Sequence, residues 1–126
     1  MSSLAGLQGS ALVATYAASK AFDLVLGEAL WEELAGRGVD VVALCAGATR
    51  TEMYEATRPR ASGLVPPVME VEPVVRQALA ALGRGPSAVA GGWNRLSAVL
   101  LRCLPRRLAV RIIGRSMRAI YPQHAD

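Results

Sequence analysis

Gly36-Arg-Gly-Val-Asp-Val-Val-Ala-Leu-Cys-Ala-Gly47 is the stretch on which the architecture turns. Its middle, Val39-Asp-Val-Val-Ala-Leu-Cys-Ala46, is β-branched and almost continuously apolar. A strand with one wet face alternates, so this pattern fits a strand covered on both faces, as in a parallel sheet. Upstream, about Ala11 to Ala35 are Ala-, Leu- and Glu-rich, with no Pro and one internal glycine, Gly27. That predicts a long helix, stopped by Gly36-Arg-Gly38. A helix, a tight glycine turn and a buried strand make half of a βαβ unit, so the fold class is α/β.

Working outward, the first nine residues are small and Gly-containing and read as a loop. Residues 48–72 are polar and Pro-containing, with a short helix near Glu52–Thr57. Pro73 suits the first position of a second helix to about Leu82, closed by Gly83 and Gly85. Ser87-Ala-Val-Ala90 predicts a second short strand before Gly91-Gly92. From about Asn94 two helices follow, with Pro105 at the N1 position of the second. There is no internal repeat and no low-complexity segment.

At 126 residues the chain is one small domain or part of a larger one. An apolar share of 52% against 19% charged excludes a disordered chain. Two cysteines, Cys45 and Cys103, lie too far apart for a disulfide scaffold or a compact Cys-ligated zinc site, and fit a reducing compartment. Aromatics at 5% argue against a nucleic-acid surface of stacked rings. Residues 1–19 carry no charge, but no basic n-region precedes them and Ser2, Ser3, Gln8, Ser10, Thr15 and Tyr16 interrupt any apolar core. No run approaches the ~18 apolar residues a membrane span needs. The expected location is cytoplasmic.

The net charge of +4 is unevenly placed. From Trp93 onward there are seven arginines and one acid, Asp126, while residues 1–92 carry a net −2. The expected organisation is a body over 1–92 and a basic helical tail over 93–126. Arg102, Arg106, Arg111, Arg115 and Arg118 recur at near-helical spacing, with Leu101, Leu104, Leu108, Ile112 and Ile113 between them. Such a helix can lie on an anionic membrane surface. Docking on the body with the arginines in water is the commoner arrangement, and is favoured here.

Tyr16 and Lys20 carry the chemistry, with Ser3 upstream. Residues four apart share a helix face, so phenol and ammonium can converge. A free phenol, with a pKa of ~10, is a poor base at neutral pH, and a neighbouring ammonium favours its phenolate. A serine hydroxyl beside them could hold a carbonyl or alcohol oxygen during proton transfer. A Tyr and a Lys four apart also occur by chance, as an exposed ring and a solvated cation. Against that reading, Lys20 is the sole lysine of a chain that elsewhere uses arginine.

Tyr16-Ala-Ala-Ser-Lys20, with Ser3 inside Ser-Ser-Leu-Ala-Gly-Leu-Gln-Gly, resembles the active-site segment of the short-chain dehydrogenases/reductases. Leu44-Cys-Ala-Gly-Ala-Thr-Arg-Thr-Glu-Met53 is similar to that family's Pro-Gly-x-x-x-Thr segment, with Ala46 where the proline usually stands. The resemblance implies the C-terminal portion of a Rossmann-type, doubly wound parallel sheet with amphipathic C-terminal helices. It implies that Ser3 orients the substrate, Tyr16 is the acid/base, and Lys20 lowers the Tyr16 pKa and bonds the nicotinamide ribose. It also implies that Gly47 and Thr51 line the nicotinamide side. The cofactor would be NAD or NADP, and the substrate a small apolar carbonyl/alcohol pair. A homo-oligomer paired through the Tyr/Lys helix is compatible with it. The segment Glu52 to Glu72 would be a substrate lid, apolar through Met53, Tyr54, Leu64, Val65, Val68 and Met69.

No G-x-G-x-x-G occurs in these residues, nor the family's relay asparagine ahead of Ser3. The implied reading is therefore the C-terminal half of such an enzyme, inactive alone. The rival reading is a non-enzymatic remnant serving as a dimerisation or membrane-associating helical module. Cys45 and Cys103 read as packing thiols, and His124 as a solvated residue near the end. No metal site is expected. With only two strands, at one side of a sheet, Val39–Ala46 would leave an edge and part of each face in water. At ~25 cal/mol per Å², a few hundred Å² of apolar exposure rivals a domain's whole stability, so a loosely packed or aggregation-prone chain is expected. The 126-residue chain should show no saturable binding of NADH or NADPH, for want of a Gly-rich turn at a helix N-terminus. Fluorescence titration of monodisperse protein checks this, and a micromolar dissociation constant would overturn it.

Overall fold

The computed structural model describes residues 1–57, 59–60 and 67–122. Strands β1 (Ser2–Ser3), β2 (Ala43–Ala46) and β3 (Ser87–Val89) form a parallel sheet in the order β1-β2-β3. Helix α1 (Ala14–Glu33) crosses from β1 to β2, and α2 (Glu52–Ala56) and α3 (Val71–Ala81) lie between β2 and β3. A helical pair, α4 (Gly92–Cys103) and α5 (Arg106–Ile120), follows.

All four residues of β2 are buried. Side chains alternate along a strand, so β2 feeds two cores. Ala43 and Cys45 pack with Leu24 of α1, joined by Leu7 and Val89. Leu44 and Ala46 pack with Val74 of α3 and Ala90, joined by Met69, Ala78 and Ala88. Helices thus cover both faces of a parallel sheet, the doubly wound α/β arrangement that the apolar run predicts.

The structure corrects several boundaries. Ser2 and Ser3, read as loop, pair with Cys45 and Ala46. Two serines carry no apolar alternation; they extend because the edge of β2 needs partners for its backbone polar groups. With β3 on its other side, β2 is the middle strand, so the expectation of an open edge on it fails. The ladder also takes only the second half of the apolar run, and Val39 lies exposed ahead of it. Helix α1 starts later than expected because the chain enters through Leu12 at a left-handed φ of +68°. Its end is as read, with Gly36 and Gly38 at φ +77° and +72°. Helix α3 begins at Val71, so Pro73 stands later in the first turn, where a missing N–H still costs nothing. Pro105 is the N-cap of α5, one position ahead of the predicted N1.

The tail splits between two environments. On α5, Ala109, Gly114, Ser116 and Ile120 are buried, so this helix docks on the body. On α4, Asn94 and Ala98 are buried while Trp93, Leu96, Val99 and Leu100 are exposed. No described helix is long and apolar enough to cross a membrane. Val74 is 3% exposed at the centre of the α3-side core, so Val74→Ala should cost about 2 kcal/mol, read as a lowered urea midpoint at unchanged slope.

Candidate active site

The site is assembled where β1 meets α1. Lys20 is the joint. Its carbonyl accepts a 2.6 Å hydrogen bond from the Ser2 hydroxyl, and its ammonium donates to the Met1 carbonyl at 3.0 Å. The 3₁₀ turn Leu4–Leu7 lies directly on the same residue: a Cβ on Gly6 would stand 2.7 Å from the Lys20 carbonyl carbon. Only glycine permits that approach. Helix α1 therefore presents Tyr16 one turn before the point where it is fixed to the strand. Lys20 Nζ lies 5.9 Å from the Tyr16 ring centroid, and the ring is 49% exposed.

Ser3 sits at the end of β1, in register with Ala46, the last residue of β2. Its hydroxyl accepts from the Ala5 N–H at 3.2 Å, capping the 3₁₀ turn. A hydroxyl so used keeps its own proton to donate. Gly47 follows immediately on β2, so Ser3 and Gly47 lie at the carboxyl ends of adjacent parallel strands. That edge is where ligands bind in open α/β sheets. Thr51 caps α2, its hydroxyl accepting from the Tyr54 N–H at 3.2 Å, and it too retains a proton to donate.

The segment from Gly47 to Glu70 is tied at its base. Met69 donates to the Ala48 carbonyl and accepts from the Arg50 N–H, both at 2.9 Å. Arg50 also bonds Glu70 at 2.8 Å and pairs with Glu55 at 3.6 Å. Tyr54 is half-buried, and that burial pushes its phenol above the ordinary range. Met53 and Tyr54 thus rise from a clamped base, whereas Met69 packs into the core and is not a free lid residue. Leu64 and Val65, expected to line the lid, lie outside the described residues, as does His124.

Three residues that the sequence reading passed over shape the site. Asp23 takes a 2.7 Å ion pair from Lys20. The Lys20 hydrogen bond is the main reason its carboxyl is held below the ordinary value; burial opposes that, and the Lys20 charge adds to it. An acid three residues beyond the lysine was the available signal. Gly6 is the second. The third is Asn94, 2% exposed beneath Gly47. Its Nδ2 donates to the Ala90 carbonyl at 2.7 Å, and a Cβ on Gly47 would stand 2.6 Å from that nitrogen. Its Oδ1 is buried and has no hydrogen-bond partner among the described residues. Nothing in the local sequence marks it, because it reaches Gly47 only through the fold.

Cys45 is a buried thiol, pushed up by burial and partly offset by Ser2, which suits packing. Cys103, expected to pack, is exposed. Among the described residues no group of three or more His, Cys, Asp and Glu could hold a metal.

Two outcomes follow from this geometry. The folded pKa of Asp23 is depressed, so its pairing with Lys20 stabilises the fold above the ordinary carboxyl pKa and is lost as pH falls through the lowered value. Carboxyl-detected NMR should place the Asp23 midpoint below that of a free aspartate in the wild type, and higher in Lys20→Met than in the wild type. Gly6→Val should push the 3₁₀ turn off α1 at about 1–3 kcal/mol, read as a lowered thermal midpoint and shifted amide resonances at Ser2, Ser3 and Lys20.

Comparison with known proteins points to one family. The family model for short chain dehydrogenase matches residues 1–62, which hold Ser3, Tyr16, Lys20, Gly47 and Thr51. The 7beta-hydroxysteroid dehydrogenase of Clostridium sardiniense is 33% identical over 93 residues, covering 74% of this chain and 36% of that protein. A solved structure from work on 7beta-hydroxysteroid dehydrogenase stereoselectivity superposes with a TM-score of 0.75 at 30% identity. It is matched by 89% of this chain, which covers 43% of it. The chain therefore spans less than half the length of the relatives it matches. With its parallel sheet and these matches, the chain belongs to the short-chain dehydrogenase/reductase family.

Proposed function

We propose that this chain supplies the proton-transfer centre and the nicotinamide side of an NAD(P)-dependent dehydrogenase acting on a secondary alcohol/ketone pair of an apolar, steroid-like substrate. One observation carries the reading. Ser3 is held in register with Ala46, next to Gly47, while Lys20, one turn from Tyr16, is fastened to Met1 and Ser2 of the same strand. Ser3 and Gly47 thereby lie at the carboxyl ends of adjacent strands, with the helix that bears Tyr16 and Lys20 fastened to the first of them, which supports this reading.

The residues present fit the nicotinamide end of the cofactor. The Lys20 ammonium suits ribose hydroxyls, and the Thr51 hydroxyl with the backbone around Gly47 suits a carboxamide. The phosphate fingerprint is not among these residues, so they account for that end only. The cofactor, when bound, supplies or accepts the hydride at the substrate carbon. Ser3 holds the substrate oxygen by donating its hydroxyl proton, and Ala5 fixes the direction from which it does so. Tyr16 gives its phenolic proton to that oxygen in reduction and takes it back in oxidation. The Lys20 ammonium supplies the positive charge against which the phenol oxygen's negative charge develops. Asp23 steers that ammonium through their ion pair. Met53 and Tyr54, on the short helix that Thr51 caps, would offer contact to an apolar body, and the relative's hydroxysteroid is the model for it.

In the full catalytic domain, Tyr16→Phe should lower kcat by ~10²–10⁴-fold with cofactor affinity nearly unchanged, because only the transferable proton is lost. Lys20→Arg should be severely impaired as well, since a forked guanidinium cannot take the same place. Steady-state kinetics with a hydroxysteroid and each nicotinamide nucleotide checks both. Retention of most of kcat by Tyr16→Phe would overturn the assignment.

A further inference from the structure

We infer that the α4–α5 pair is a seat for an anionic lipid surface, with the outer face of α4 as its apolar footing. On α4 the exposed residues Trp93, Leu96, Val99, Leu100 and Cys103 fall within one arc of about 120° at 100° per residue. Trp93, Val99 and Leu100 are 60%, 58% and 57% exposed, so most of this arc is left uncovered by the described residues. Arg95 and Arg102, also exposed, border it. On α5 Ala109, Gly114, Ser116 and Ile120 face the body, while Arg106, Arg107, Arg111, Arg115 and Arg118 lie in solvent together with Leu108 and Val110.

Charge decides what covers the arc. From Trp93 to Pro122 there are seven arginines and no acid. Other apolar faces exist, on α1 with Phe22, Val25 and Leu26, and on α3 with Val71, Val75 and Leu79. Helix α1 carries Glu28, Glu32 and Glu33 and is net acidic, so an anionic surface repels it, while on α3 the Glu72–Arg76 pair leaves no net positive charge to attract one. Among the described helices, α4 combines an exposed apolar arc with purely cationic surroundings. A second copy of this chain would bring seven more arginines against the first. A nucleic acid would satisfy the arginines but leave Trp93, Val99 and Leu100 without apolar cover. An anionic bilayer surface meets both requirements: its phosphates face the guanidiniums, and its acyl boundary takes the arc.

Flotation of the chain with vesicles tests this, because aggregates sink and bound protein rises. Vesicles of phosphatidylcholine with phosphatidylglycerol should carry the protein up at low ionic strength, and pure phosphatidylcholine should not. High salt should release it. Leu100→Asp with Val99→Asp lies on an exposed face and should keep the fold by circular dichroism while weakening flotation about tenfold or more. Arg111→Gln with Arg115→Gln should weaken it and reduce its salt dependence. Vesicles should shift tryptophan emission to the blue, and Trp93→Phe should remove most of that shift. No flotation, equal flotation with neutral vesicles, or wild-type flotation by the aspartate variant each overturns the proposal. A dimer by sedimentation equilibrium that leaves vesicles unbound overturns it in favour of pairing between copies.

Discussion

The backbone carbonyl of Lys20, bonded by the Ser2 hydroxyl and covered by Gly6, is the joint between the main helix and the edge of the sheet. A neutral hydrogen bond there is worth only about 1 kcal/mol net, so its importance is geometric. It fixes the rotation and height of α1 against β1 at one residue. Once Lys20 is pinned, Tyr16 must stand one turn earlier, at the level of the strand's end where Ser3 lies. The ammonium of the same residue is turned to Met1 on one side and Asp23 on the other. Backbone and side chain of a single position therefore set the fold and the site together.

The second support lies beneath β2. Asn94, from the first turn of α4, fills the space that Gly47 leaves by having no side chain. A buried amide whose oxygen has no partner among the described residues costs stability, and its place directly under the loop toward Thr51 ties the cost to the site. The loop itself leaves β2 and returns at Met69, where backbone bonds and the Arg50–Glu70 pair close its base. Helix α5 reaches the same loop from outside, with Ile120 accepting from the Arg60 N–H and the Tyr121 hydroxyl 3.4 Å from Thr57. The end of the basic tail and the segment after β2 are thus in direct contact.

These arrangements explain the small strands. A parallel sheet needs helical crossovers, and here two crossovers bring strands of two, four and three residues into register. The ladder is short, but β2 is covered on both faces and flanked on both edges. Apolar residues remain on the outer faces of α1, α3 and α4. The stability of the centre and the adhesiveness of the outside are separate properties of this chain.

By itself the sequence determined the elements whose signal is local. Gly36 and Gly38 turn the chain, the second half of the run to Ala46 is apolar on both faces and is buried, and Tyr16 and Lys20 four apart share a face, so the α/β class and the Tyr/Lys pair were legible. Ser3 was found through the company it keeps in the motif, but that Ser2 and Ser3 form a strand was not, because two serines become extended only when β2 offers its edge. The tertiary structure alone decided that Gly6 touches Lys20, that Asn94 lies under Gly47, and that α4 and not α5 turns an apolar arc outward. The physical reason is the same in each case. Periodicity says which face of an element is apolar, whereas what that face meets depends on close approaches between segments many residues apart.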